Sequence, residues 1–155
     1  MKFGKSSCCV LMFMVIGLGI APPCSAKTAG DKTSMEEVKQ EAEDLVQALK
    51  AYTIEQRDEA VQKSQEALDH LDKRIDALET TIDRNWDKMD TAAREKARAS
   101  QKALRKQRTE VAERYGRLKG SSAEAWGHLK KGFSDAYKEL HNAWEKSEQE
   151  FGADK

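Results

Sequence analysis

The sequence predicts an all-α fold: a long coiled-coil-like helix, continuous, bent or broken, with a C-terminal amphipathic helix folded back on it as a helical hairpin. Three observations carry this. Residues 31–115 contain neither Gly nor Pro and are dominated by Ala, Glu, Lys, Gln, Arg and Leu, all strong helix formers. Apolar residues in that stretch recur every seven positions, the mark of a helical seam. Residues 126–151 gather large rings at helical spacing. Strand signals, such as alternating β-branched runs or Asn-Gly and Asp-Gly turns, are missing from the sequence after residue 26. The chain of 155 residues is 35% charged and only 6% aromatic, a balance that suits long helices better than a compact mixed fold.

The first 26 residues read as a leader outside that fold. "MKFGK" supplies Lys2 and Lys5, "CCVLMFMVIGLGI" is an uncharged apolar run, and "APPCSA" ends in small residues. That order is a secretory signal peptide cut after Ala26, and the expected location is therefore periplasmic. The apolar run is shorter than the ~20 residues that span a bilayer. Pro23 before Cys24 argues against a lipoprotein acceptor. Cys8, Cys9 and Cys24 all lie in the leader. The exported chain is then expected to hold no disulfide, thiolate metal site or cysteine nucleophile, and to be stabilised by helix packing or association.

After the leader, residues 27–33 form a flexible start. "TSME" sets Thr33 three residues before Glu36, a capping-box pattern that opens a helical region at 34–119. "RLKG" closes it, with Arg117 and Lys119 in the last turn and Gly120 just beyond. "SSAE" repeats the capping box at Ser121 and Glu124, opening a second helix over 121–151, with 152–155 as a tail. "TIEQ" at Thr53 and "WDKMDTAA" near Asp90 are candidate joints. Neither contains Gly or Pro, so a long helix with at most one bend is the expected form.

Val61, Leu68, Ile75, Ile82 and Met89 repeat every seven residues, and Leu71 and Leu78 fill the alternate seam. Ala97, Leu104, Val111 and Leu118 form a second such series, one residue out of phase with the first. The supercoil is therefore expected to relax between Trp86 and Ala97. An unbroken helix of this length would reach ~130 Å.

The last helix carries the densest chemistry. Trp126, Leu129, Phe133, Tyr137, Leu140, Trp144 and Phe151 fall within an arc of roughly 80° on a helix that turns about 100° per residue. Five of the eight aromatic residues beyond position 26 lie on this face. The favoured reading is packing against the long helix, opposite small residues such as Ala92, Ala93 and Ala97. A membrane-surface face and a partner-binding face are the alternatives. Residues 121–155 hold five Lys against seven Asp plus Glu, which weakens attraction to anionic lipid.

Charge is divided between two segments. Residues 27–80 carry 8 basic and 14 acidic side chains, and residues 81–120 carry 12 basic and 6 acidic. The candidate basic patch is Arg94, Arg98, Lys102, Arg105, Lys106 and Arg108. No aromatic residue is interleaved for base stacking, and export argues against nucleic acid. Opposite halves suit antiparallel pairing, with a second copy or within a folded-back chain. An anionic lipid or lipopolysaccharide surface is the other reading.

No catalytic, cofactor or metal site is expected. His70, His128 and His141 show no i, i+4 pairing. His141 and Glu145 share a face but make a poor ligand set, so a helix-surface contact is expected. Neighbouring carboxylates such as Glu36 and Glu37 point apart on a helix. There is no Gly-rich phosphate loop and no nucleophile elbow.

Residues 124–151, "EAWGHLKKGFSDAYKELHNAWEKSEQEF", resemble the C-terminal helix of small bacterial apolipoprotein-like or coiled-coil stress-response proteins. The pattern is Trp, an aliphatic residue three later, a Lys-x-Gly step, an aromatic, and further Trp or Phe at helical spacing. Trp126, Leu129, Lys130, Gly132, Tyr137, Leu140, Trp144 and Phe151 match it, with Tyr137 standing where such sequences often carry Trp. The resemblance implies an all-α, non-enzymatic protein of envelope stress. The expected function is therefore a structural or interaction protein of the envelope, with the holding of client proteins as an extension of that role; a lipid-surface protein is the alternative. Self-association is expected, most simply as an antiparallel dimer, with an envelope protein or a lipid surface as further partners.

Overall fold

A computed structural model describes residues 35–152. The expected leader at 1–26, the start at 27–33 with its capping box, and residues 153–155 of the tail lie outside the described residues. Within them the chain is all helical. It forms α1 (Met35–Ala51), α2 (Arg57–Asn85), α3 (Thr91–Lys119) and α4 (Trp126–Phe151), with short 3₁₀ turns at Ile54–Gln56 and Trp86–Lys88.

The fold class is as the sequence predicts, but the region 34–119 is three helices, not one long one. The longest helices have 29 residues, which is ~43 Å each. Both breaks fall at the two candidate joints. At the first, the Thr53 backbone N–H donates to Gln56 Oε1 at 3.2 Å, and the Tyr52 hydroxyl reaches Glu59 at 3.1 Å. At the second, Asp90 caps α3 by accepting from the Ala93 N–H at 2.7 Å. Met89 is extended there, and the chain reverses. The one-residue phase shift between the two apolar series therefore marks a turn between separate helices, not a relaxed supercoil. Replacing Asp90 by Ala leaves an N–H at the start of α3 without its cap, and is expected to cost about 1 kcal/mol in a denaturant melt.

Successive helices run antiparallel. Moving forward along α3, Arg105 meets Glu79 and Arg108 meets Asp76 and Asp72, so the chain advances on α3 as it retreats on α2. Lys96 with Glu150, and Tyr115 with Phe133, give the same sense for α3 and α4. Glu41 with Arg74 and Tyr52 with Glu59 do so for α1 and α2. Helix α4 also packs on α1 and α2, which closes an up-down-up-down bundle.

The core is one cluster that draws on all four helices. Helix α2 contributes Leu71, Ile75, Leu78 and Ile82, all at most 1% exposed. Helix α3 contributes Ala97, Leu104, Val111 and Leu118, all 0% exposed. Val61, Leu68 and Met89, counted in the same seam, are only partly buried. Helix α1 supplies Val38, Ala42, Leu45 and Leu49.

Helix α4 starts at Trp126, later than the "SSAE" pattern predicts. Ser121 does not cap it: the side chain is buried and its Oγ has no partner. Instead, the Trp126 N–H bonds the Ser122 carbonyl at 3.0 Å. The Glu124 carboxyl is held below its ordinary range by its own backbone N–H and by Ser122. At the far end the Gly152 N–H bonds the Glu148 carbonyl at 2.7 Å. A Cβ at Gly152 would lie 2.5 Å from that oxygen, so the stop needs a glycine.

Candidate interaction surfaces

The aromatic face of α4 is turned into the protein. Phe133 is 0% exposed, Leu140 1%, Tyr137 3%, Trp144 4%, Trp126 5% and Phe151 8%. Leu129 is half-buried against the same cluster. Phe133 stacks on Tyr137 with centroids 6.1 Å apart and meets Tyr115 of α3 at 6.3 Å. Burial pushes the Tyr137 hydroxyl up to about 12; Arg74 opposes that and Glu41 adds to it. Of the small residues expected opposite these rings, Ala97 is fully buried, Ala93 partly, and Ala92 is exposed. The rest of the space is filled by α1 and α2.

The two tryptophans of this face differ at their indole nitrogens. Trp126 Nε1 donates to the Tyr52 carbonyl at 3.2 Å. Trp144 Nε1 is buried without a partner. Beside Trp144, at 5.9 Å between ring centroids, sits His141. The expected helix-surface contact at His141 is corrected here. The residue is 4% exposed, because the helix turn that carries Trp144 inward carries His141 with it. His70 and His128 are exposed.

The basic patch is taken up unevenly. Arg108 bridges Asp72 at 2.8 Å and Asp76 at 3.1 Å on α2. Arg105 and Glu79 lie 3.4 Å apart, an ion pair without hydrogen-bond alignment. Arg94 and Arg98 sit over the Trp86 ring, 5.7 Å and 5.0 Å from its centre, and Arg94 Nε also donates to the Trp86 carbonyl at 3.0 Å. Lys102 and Lys106 are exposed on the outer side of α3. The acidic and basic halves thus pair within one chain, one of the two arrangements the charge division predicts. Arg108→Glu is expected to destabilise the bundle by about 1 kcal/mol, the scale of a partly exposed ion pair. That loss should shrink as salt is added, which paired melts at low and high ionic strength would show.

Several positioning residues were not legible in the sequence. Lys130 Nζ donates to the carbonyls of Tyr52 and Lys50, at the end of α1. Arg57 Nη1 donates to the Ser121 carbonyl at 3.2 Å, and Arg74 Nη2 reaches Glu41 at 2.8 Å. These contacts span 33 to 80 residues of sequence, and no local spacing announces them. A groove of about 440 Å³ runs between α1 and α4, lined by Lys39, Lys50 and Lys138 and by Glu43, Asp44 and Glu145. Among the described residues, no group of three or more His, Cys, Asp or Glu is placed to hold a metal ion. No described helix is long and apolar enough to cross a membrane.

Set against protein-family models, curated proteins and solved structures, the chain matches none.

Proposed function

We propose that this chain is a non-catalytic, exported helical protein of the cell envelope that works by interaction, and that it holds client polypeptides under stress. One observation carries the reading. The aromatic face of α4, which carries five of the eight aromatic residues beyond position 26, is buried within the chain's own core among polar, highly charged helices. A bundle built this way keeps its outer surface soluble and holds in reserve an apolar surface suited to an unfolded chain. The leader pattern of residues 1–26 supports export. The likeness of residues 124–151 to apolipoprotein-like and stress-response proteins supports the envelope-stress setting.

The chemistry on view supports an interaction role. Arg108 with Asp72 and Asp76, Arg74 with Glu41, and Lys96 with Glu150 join one helix to another. Such charges position helices. The test is suppression of aggregation of an unrelated, chemically unfolded protein by this chain at equimolar ratio. Light scattering that rises as fast with the chain as without it, at both about pH 7.5 and about pH 5, would sink client holding. The lipid-surface alternative draws on the same aromatic face. It predicts that Trp126 and Trp144, read alone in a Trp86→Phe variant, are quenched by neutral or anionic vesicles of brominated lipid, whereas the interaction reading predicts emission unmoved by such vesicles.

A further inference from the structure

Helix α1 is held at its two ends by different chemistry. At its C-terminal end the contacts are Trp126 Nε1 and Lys130 Nζ on the Tyr52 carbonyl and Lys130 on the Lys50 carbonyl at 3.3 Å. Carbonyls accept these bonds, and indole and ammonium groups donate them. Beside them the Tyr52 hydroxyl donates to the Glu59 carboxylate at 3.1 Å; no imidazole takes part, so protonating a histidine leaves this clamp unchanged.

The N-terminal half of α1 packs over His141, the one buried histidine. Its Nε2 has no hydrogen-bond partner, and neither has the neighbouring Trp144 Nε1. The groups that act on the ring come from three helices. Glu145 and Asn142 lie on α4 itself, the Val38 backbone belongs to α1, and Arg74 belongs to α2. Arg74 is in turn paired with Glu41 of α1 at 2.8 Å. Lys39, Glu43 and Lys138 line the groove that runs past the ring. Among the described residues, α3 adds no charged group to this set. Burial is the largest influence and disfavours the imidazolium, and Arg74 acts in the same direction; Glu145, Asn142 and the Val38 backbone oppose it.

We propose that α1 is a lid, hinged at Tyr52 and Thr53, which protonation of His141 unseats, uncovering the aromatic face of α4. The added proton puts a cation into a site walled by Val38, Trp144 and Arg74, where burial penalises charge. Lifting the N-terminal half of α1 lets water solvate that cation while the C-terminal clamp keeps the helix attached. The direction with pH follows from linkage. With the lid open, His141 titrates near its ordinary value of about 6.5; with the lid closed, it titrates lower. The open state therefore binds the proton first, and closure weakens as pH falls below about 6.5. Above that value His141 is neutral in both states and closure is unaffected.

The lid gives the client-holding reading a trigger and rests on that reading only for its purpose. The test is amide hydrogen exchange, read by mass spectrometry on the protein at about pH 7.5 and about pH 5 and corrected for the intrinsic effect of pH. At about pH 5 most carboxylates remain ionised, since they titrate near 4. Protection of α1 is expected to be lost selectively at about pH 5 while that of α3 is kept. In His141→Leu and His141→Gln that selective loss should vanish. Equal loss in α1 and α3 of the wild type, or the same selective loss in either folded variant, would overturn the lid. A lid that opens in acid without slowing client aggregation would instead count against the proposed function.

Discussion

Replacing Trp126 and Trp144 together by alanine is expected to leave most of the chain unfolded at 25 °C. Each ring is at least 95% buried, and deleting a large aromatic side chain from a core costs about 3–5 kcal/mol. The two positions lie about 27 Å apart along α4, so the losses should add. Their sum of ~6–10 kcal/mol rivals the whole stability of a domain, about 5–15 kcal/mol. Far-UV circular dichroism and a thermal melt would read the outcome, and an unchanged melting temperature would mean that this face is not core. The indole nitrogens supply an internal control. Trp126→Phe gives up the bond to the Tyr52 carbonyl and should cost about 1 kcal/mol. Trp144→Phe gives up no hydrogen bond and should come out nearer neutral.

The second large effect has the opposite sign. Gly116 and Gly132 lie inside α3 and α4, where glycine is about 1 kcal/mol less favourable than alanine. A Cβ at Gly116 would meet no atom within 4 Å. At Gly132 it would come 3.0 Å from Arg114 Nη1, the far end of a flexible side chain that is 41% exposed and held by one 3.4 Å ion pair with Glu110. Gly116→Ala with Gly132→Ala should therefore stabilise the protein by ~1–2 kcal/mol, most of it from Gly116. The midpoint of a urea melt should rise with no change in slope. A gain from Gly116→Ala but a loss from Gly132→Ala would show that the guanidinium of Arg114 is held fixed over α4.

The parts of the fold legible in the sequence are those set by spacing along one helix. Ala97, Leu104, Val111 and Leu118 read as a stripe, and all four are fully buried. The aromatic arc of α4 read as one face and is one face. The acidic and basic halves read as complementary and do pair, through Arg108 with Asp72 and Asp76. The chain reversal at Trp86–Lys88 was harder to read. Asp90 is a good cap, but nothing nearby forbids helix, and Arg94 and Arg98 only gain their place over Trp86 once α3 has turned back. The burial of His141 was missed for a related reason. On α4 alone it lies at the border of the aromatic arc, and only the arrival of α1 covers it.

The sequence by itself determined that the chain is helical, which stripe of each helix is apolar, and which segments attract. These are local properties, fixed within a few turns by side-chain type and a period of 3.6 residues. Only the tertiary structure decided that the region before Gly120 is three helices, that the charged halves meet within one chain, and that α1 closes over His141. Those outcomes depend on contacts between residues 30 to 80 positions apart. Interrupting a helix at Ala51 or Asn85 gives up a few backbone hydrogen bonds, each worth about 1 kcal/mol net. Folding back buries whole apolar stripes at about 25 cal/mol per Å², and that larger gain is invisible until the stripes face one another.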